Sequence, residues 1–153
     1  KDDAFAVLNR LLQKAAMRMR YLDYVTGAMS MGVRFLGGIK WREEISFSHT
    51  QNTITLMKAL EKVWERYPAG KEKPLAVGVT LFKLLDEDQS TPILFEDFDK
   101  IKSLNKAVDG LNKKYGFTSA YYATSHFARK SAPMRIAFTQ IPDLELEDDE
   151  KEF

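Results

Sequence analysis

Apolar and polar residues alternate strictly along two neighbouring runs between about Gly27 and Thr50. The apolar positions of these runs are Met29, Met31, Val33 and Phe35, followed by Trp41, Ile45 and Phe47. Period-two alternation places one side of a strand against a core and the other side in the open. The Gly37-Gly38 pair between the runs is typical of a hairpin turn. The pattern therefore predicts an amphipathic β-hairpin.

The opposite side of the predicted hairpin carries cations, hydroxyl groups and bare glycine. Its members are Ser30, Gly32, Arg34, Lys40, Arg42, Glu44, Ser46 and Ser48. A later alternating run, from Leu75 to Leu81, adds Gly78 and Thr80 to the same side. A sheet face of this composition suits an extended polyanion.

Three stretches have helical periodicity. The first runs from about Asp3 to Leu22, the second from about Gln51 to Tyr67 and the third from about Asp97 to Tyr115. Thr50 or Asn52 is the expected cap of the second helix, and Gly116 ends the third. The apolar stripe predicted for the third helix is Phe98, Ile101, Leu104, Val108, Leu111 and Tyr115.

These elements follow one another as helix, strand, strand, helix, strand. One more strand in front would complete the ferredoxin-like β-α-β-β-α-β arrangement, in which two helices back a four-stranded sheet. The sequence therefore predicts an α+β fold of this type without its first strand, followed by a helix and short strands. The alternating segment from Met134 to Thr139 is a candidate to fill the missing sheet edge, because an unpaired edge is a liability.

Changes in composition divide the chain into three parts. Residues 1–85 form the predicted sheet domain, and residues 86–142 form a linker with an apolar island, a helix and a short strand. Residues 143–153 form an acidic tail that is expected to be disordered.

Charge is distributed unevenly along the chain. The tail carries seven acidic residues and one lysine, whereas the rest has 22 basic and 15 acidic residues. A basic body indicates an anionic partner, although an ordinary solvated surface has the same composition. One hypothesis for the tail is that it shields the basic face when the anionic partner is absent.

Composition also narrows the protein class. The chain has no cysteine and no run long enough to cross a membrane. It opens Lys-Asp-Asp and enters a helical pattern directly, so no signal peptide is expected. These features predict a cytoplasmic protein, without a membrane partner and monomeric.

No constellation of residues indicates catalysis or metal binding. His49 and His126 lack partners at metal-ligand spacing. Glu43 and Glu44 are adjacent strand residues that point to opposite faces, so they cannot share a metal. We therefore predict no catalytic residue, no metal site and no cofactor for this chain.

The anion-binding interpretation assigns a role to each residue of the open face. Arg34, Lys40 and Arg42 are the predicted charge contacts, and Ser46, Ser48 and Thr80 are the predicted hydrogen-bond donors. Gly32 and Gly78 leave the backbone approachable. RNA-binding sheets of this topology usually expose aromatic residues for base stacking. The aromatic residues of the hairpin take the buried side, which favours contact with a nucleic-acid backbone.

An apolar island, Ile93-Leu94-Phe95, interrupts the polar linker. It is either a staple that holds the third helix to the core or a docking peptide for the groove of a partner. The second possibility leads to an alternative function: a protein-interaction module that docks through Leu94-Phe95 or its helices and never meets nucleic acid.

The runs RFLGGIKWREEISFSHTQNT and PLAVGVTLFKLL resemble the C-terminal region of Y-family translesion DNA polymerases, called the little finger. The resemblance is to bacterial proteins of the ImpB/MucB/SamB type. It implies a helix-backed sheet whose open face lies on the backbone of primer–template duplex DNA. The polymerase palm, with its Mg²⁺-binding carboxylates, lies upstream in this family and has no counterpart in this chain. The resemblance thus implies a non-catalytic fragment of a DNA polymerase or of an inactive relative.

Downstream motifs extend the resemblance. The family often places a sliding-clamp motif, commonly Gln-Leu-x-Leu-Phe, after the last strand. TPILF stands there in this chain, so Thr91, Leu94 and Phe95 are the candidate clamp-binding residues, with threonine in place of glutamine. The helix end LNKKYG and the run from Ala132 to Asp143 also resemble the family. The bacterial sliding clamp is therefore a candidate second partner.

Overall fold

The helices and strands follow the order that the sequence predicts. The computed structural model describes residues 2–68, 70, 73–90, 98–116, 119–124 and 126. The elements are α1 (Asp2–Tyr21), β1 (Tyr24–Phe35), β2 (Lys40–Thr50), α2 (Thr53–Trp64), β3 (Pro74–Asp86), a 3₁₀ turn (Glu87–Gln89) and α3 (Phe98–Tyr115). The predicted α+β fold class is confirmed.

The sheet has three strands in the order β2-β1-β3, and both pairings are antiparallel. The loop between β1 and β2 turns through Gly37 and Gly38, whose φ angles of 97° and 85° are left-handed and favour glycine. Within the described part of the chain, β2 and β3 pair with no strand other than β1. The segment from Met134 to Thr139, predicted to fill a sheet edge, lies outside the described residues.

The core lies between one face of the sheet and the first two helices. The central strand contributes Met29, Met31, Val33 and Phe35, each at most 2% exposed. Residues four apart in α1 meet them, among them Leu8 and Leu12, which are fully buried. Burying each large apolar side chain contributes about 1.5–3 kcal/mol, so this alternation fixes which sheet face is covered.

Aromatic side chains close the core at the hairpin end. The ring centroids of Trp41 and Tyr67 lie 5.5 Å apart in an edge-to-face arrangement. Trp64 lies 4.3 Å from Tyr67 and 5.3 Å from Phe5. The tilted contact of Phe35 with Tyr67 completes the cluster. The hairpin aromatics Phe35 and Trp41 therefore pack on the helix side, as their parity predicts.

Helix α2 is shorter than predicted and begins at a well-defined cap. Asn52 Oδ1 accepts a 3.0 Å hydrogen bond from the backbone N–H of Ile54. This bond satisfies one of the free donors at the helix start, so Asn52 is the cap. The helix ends at Trp64, and Tyr67 packs in the aromatic cluster from the turn that follows.

Helix α3 is held to the body through polar contacts. Arg20 binds the Asp109 carboxylate with two hydrogen bonds, from Nε at 2.7 Å and from Nη2 at 2.8 Å. Arg20 Nη1 also donates to Gln51 O and Thr53 Oγ1, both at 2.9 Å. A single guanidinium therefore joins α1, the start of α2 and α3.

Only part of the apolar stripe predicted for α3 faces the body, where Ile101 and Val108 are half-buried. Asn105 and Asn112 are buried, whereas Leu104, Leu111 and Tyr115 are exposed. The side of the helix that meets the body is therefore mixed, and Asp109 binds Arg20 from it. An apolar stripe therefore stays open along the outside of α3.

Beyond α3 the chain turns back onto the body. Asn112 forms two hydrogen bonds with the backbone of Ala120, at 2.8 and 2.9 Å. The backbone N–H of Tyr122 donates to Gln13 Oε1 of α1 at 3.3 Å. Residues 119–122 thus lie between α3 and α1.

Candidate nucleic-acid interface

The helix-free face of the sheet carries the predicted site residues in register. Arg34 pairs with Lys40 and Ala76, and Gly32 pairs with Arg42 and Gly78. The next level along β1 is Ser30, which pairs with Glu44 and Thr80. The structure thus brings the three predicted cations together at the hairpin end of this face, which we call the open face.

The Arg42 side chain lies flat across the open face. Its Nε donates a 3.0 Å hydrogen bond to Ser30 Oγ, and its Nη2 lies 3.1 Å from Glu44 Oε1. The serine lies under this side chain and is only 5% exposed. The ion pair with Glu44 is solvent-exposed, so it holds the guanidinium only weakly and leaves it able to meet another anion.

Bare backbone separates the cations of β2 from β3. Gly32 and Gly78 are directly paired across neighbouring strands. A methyl group at Gly78 would meet no other heavy atom within 4 Å, so its outer side is open space. The sheet backbone at this level is therefore accessible to a large ligand.

The predicted hydroxyl donors lie further along the open face. Thr80, Ser46 and Ser48 are all exposed. Ser46 Oγ accepts a 3.1 Å hydrogen bond from Lys83 Nζ, across the central strand. A fourth cation, which the sequence analysis missed, therefore joins this face.

Lys83 reaches the open face because its backbone is left-handed, with a φ of 53°. Simple alternation would place it beside Leu81 on the helix side. A non-glycine residue with positive φ is uncommon and costs conformational energy. The predicted strand ended at Leu81, whereas β3 continues to Asp86. The alternating pattern therefore assigned no face to Lys83.

The longer strand also adds an aromatic residue. Phe82 pairs with Ala28 and shares the parity of Thr80 and Gly78, so its register places it on the open face. It is only half-buried. The cation-rich end of this face has no aromatic residue among those described, whereas the far end has this one.

The pairing of β2 with β1 is irregular near the contact between Lys83 and Ser46. The register with β1 shifts between the Thr26–Thr50 and Ala28–Ser46 pairs. At Gly27, between these pairs, a Cβ would lie 2.7 Å from Nε2 of His49. The imidazole therefore packs directly on glycine backbone.

The remaining candidate residues divide between described and undescribed segments. Thr91, Leu94 and Phe95, the candidate clamp-binding residues, lie outside the described residues. His126 stacks on Tyr121, with Nδ1 2.8 Å from the phenol oxygen. No group of three or more His, Asp or Glu side chains in the described part is placed to hold a metal ion.

Comparison with known proteins agrees with this architecture. Residues 1–93 match the family model described as the impB/mucB/samB family C-terminal domain. The chain belongs to the impB/mucB/samB family. The family match spans the whole sheet, including every residue named above on the open face.

One curated relative of this impB/mucB/samB protein is UvrX of Bacillus subtilis (strain 168), provisionally described as a UV-damage repair protein. It is 27% identical over 143 residues, which cover 90% of this chain but only 34% of UvrX. The chain thus spans about a third of that relative. No solved structure matches the chain. None of the described helices is long and apolar enough to span a membrane.

Proposed function

We propose that the open face grips primer–template duplex DNA through sequence-independent contacts with phosphates, as part of a DNA-damage bypass polymerase. The observation that carries this proposal is the row of Arg34, Lys40, Arg42 and Lys83 along one open sheet face, with Gly32 and Gly78 between them. Cations, hydroxyls and approachable backbone N–H groups are the usual partners of phosphate oxygens.

The cation row is long enough to follow several phosphates of one DNA strand. Arg34 lies six residue steps along β1 from Ala28, the level of the Lys83–Ser46 contact. At about 3.3 Å per residue this is about 20 Å. Phosphates of one DNA strand are about 3.4 Å apart along the axis, so the row matches about six of them.

The position of the aromatic residues favours duplex over single-stranded DNA. Phe35 and Trp41 pack with α2 and cannot stack on bases. Phe82 does have open-face register, but it pairs with Ala28 and lies away from Arg34 and Lys40. Base stacking along the cation row therefore has no platform.

The family suggests the larger context. UvrX carries a name that refers to UV-damage repair, and this chain matches only a third of it. We infer that the chain is the non-catalytic domain of a longer polymerase, or of an inactive relative, whose Mg²⁺ would be bound upstream. A role for Thr91, Leu94 and Phe95 in binding the sliding clamp remains part of this proposal.

A salt titration of duplex binding tests the proposal. Four phosphate contacts give a slope of log affinity against log salt of about −3.6. Arg34→Ala with Arg42→Ala should reduce the magnitude of this slope by about 1.8, with no change in sequence preference. The matched control is Lys58→Ala with Lys62→Ala, which removes two exposed cations from α2.

The control should retain the original slope. An unchanged affinity and slope in the Arg34/Arg42 variant would show that the open face is not the binding surface. If the unmodified chain failed to bind duplex at all, the alternative of a protein-interaction module would be favoured. The exposed Leu104, Leu111 and Tyr115 of α3 would then be its candidate surface.

A further inference from the structure

A cleft of about 530 Å³ opens on the side of the molecule where α3 meets the body. Its walls come from the end of α1, the segment before α2, the 3₁₀ turn and α3. The lining includes Met17, Tyr21, Lys102, Lys106, Gly110 and Lys113. None of the open-face residues lines this cleft, so it is a separate site.

The charges of the cleft are unequally satisfied. Arg20 is paired with Asp109, and Glu87 accepts hydrogen bonds from Lys102 at 2.5 Å and from Gln51 at 2.8 Å. These contacts hold α3 to the body, and their charged groups are already paired with one another. Asp23, a third carboxylate, also lines the cleft and acts on Lys102, so this end has no cation left for a ligand.

The other end of the cleft is cationic. Lys106 and Lys113 form no ion pair with any residue that the structure describes. Lys113 Nζ instead lies 5.7 Å from the ring centroid of Tyr21, which is 47% exposed. Gly110 lies between the two lysines and has no side chain. The two cations therefore border an apolar surface formed by Met17 and Tyr21. Such a site fits an acidic peptide that also carries apolar side chains.

The acidic segment 143–153 of this chain has that composition. It reads Asp-Leu-Glu-Leu-Glu-Asp-Asp-Glu-Lys-Glu-Phe and lies outside the described residues. We propose that it binds in the cleft, with its carboxylates on Lys106 and Lys113 and its leucines against Met17 and Tyr21. The proposal does not rest on DNA binding by the open face.

The cleft suits this segment better than the open face does. Leu144 and Leu146 alternate with glutamates, so both classes of side chain need partners. The described residues in open-face register around Arg34, Lys40 and Arg42 are small or polar, whereas the exposed Leu36, Ile39 and Leu75 lie toward the hairpin turn. Binding there would leave the leucines in water, whereas the cleft would bury them.

The length of the chain after the described residues allows the segment to reach the cleft. Tyr122 is hydrogen-bonded to Gln13, which lies one helical turn before Met17 of the cleft wall. Residues 127–142 separate the last described residue from the segment. Sixteen residues span up to about 53 Å when extended, so the cleft is well within reach.

A spin label on the tail tests the proposal in the 153-residue chain. The chain has no cysteine, so Lys151→Cys gives a single attachment site and leaves all seven acids in place. We expect the paramagnetic label to remove most of the amide NMR signals of Tyr21, Gly110 and Lys113 at low salt. The variant Lys106→Glu with Lys113→Glu should restore these signals.

The matched control is Lys100→Glu with Lys114→Glu, which makes the same charge change on α3 at residues that do not line the cleft. It should retain the signal loss. Loss at Arg34 and Arg42 instead, or no selective loss at all, would overturn the proposal. Loss in an unlabelled chain mixed with labelled chain would show that the segment binds a second copy, which also overturns it.

Duplex binding by the Lys106/Lys113 variant distinguishes the two proposals, because its affinity for duplex DNA should be unchanged. Tail binding in the cleft leaves the open face exposed, so this variant should keep the original salt slope. A chain that failed to bind DNA but showed the signal loss would contradict only the DNA proposal.

Discussion

Lys83 Nζ donates a 3.1 Å hydrogen bond to Ser46 Oγ, although the two residues lie on strands separated by the central strand of the sheet. The contact depends on the left-handed backbone of Lys83, which turns the side chain toward the open face. A conformation with an energetic cost at the margin of a candidate site is a common sign of functional strain. It makes this lysine the most informative residue of the site.

Lys83→Gly should separate backbone strain from charge. Glycine adopts a φ of 53° without the steric cost, so the free energy of unfolding should rise by about 1 kcal/mol. The lost cation should reduce the salt slope of duplex binding by about 0.9. Urea unfolding and fluorescence anisotropy measure the two effects. Lys83→Arg is the charge-retaining control, and a slope that falls equally in both variants would argue against a phosphate contact.

Gly27→Ala should destabilise the sheet because its methyl group would lie 2.7 Å from His49 Nε2. Overpacking of this kind costs about 1–3 kcal/mol, and adding His49→Ala should recover much of it. Denaturant unfolding of the two single variants and the double variant measures the coupling. Gly78→Ala is the control, since its methyl group meets open space and should be neutral or stabilising. Strictly additive effects would show that the imidazole does not require glycine.

Arg20→Lys should release α3 while leaving the sheet intact. An ammonium cannot reproduce the paired hydrogen bonds to Asp109 together with those to Gln51 and Thr53. The loss should amount to about 1–3 kcal/mol, felt at α3 and at the start of α2. Hydrogen exchange should therefore accelerate at amides of α3 and remain slow in β1. Equal acceleration in both elements would mean that the contact supports the whole fold.

Stability should fall as pH rises above about 10. The hydrogen bond to Glu87 raises the pKa of Lys102, although burial opposes it, and burial raises the pKa of Tyr122. Both groups hold their protons more tightly when folded, so their contribution is complete below the unfolded pKa values of about 10 and is lost above them. Melting temperatures between pH 8 and 11.5 measure the loss. Lys102→Arg with Tyr122→Phe removes both titrations and should flatten the profile, and an unchanged profile would contradict the assignment.

Local patterns were sufficient to predict much of the fold. The alternation in the hairpin identified its buried and open faces, because a strand with one covered face must repeat every second residue. The glycine turn, the Asn52 cap and the order of elements likewise depend on residues close in sequence. The same pattern placed Arg34, Lys40 and Arg42 on one face before any contact was known.

Other features depend on residues that are distant in sequence. Packing of α2 on the sheet buries Leu56 and leaves the neighbouring apolar Ile54 38% exposed. Glu87 lies at the start of the predicted linker 86–142, but it binds Gln51 and Lys102 of the body and α3. Neither the burial of Leu56 nor the contacts of Glu87 can be predicted from the residues next to them in the sequence.

The sequence by itself determined the alternating faces and the placement of three cations, since both follow from the period of a strand. Only the tertiary structure decided the orientation of α3, because Asp109 binds Arg20, 89 residues away, while Leu104 and Leu111 of the apolar stripe stay exposed. It also decided that Lys83 belongs to the open face, since one left-handed backbone angle breaks the alternation on which the sequence argument rests. Periodicity is a local property, whereas the pairing of charges and the strain at a single residue depend on the assembled fold.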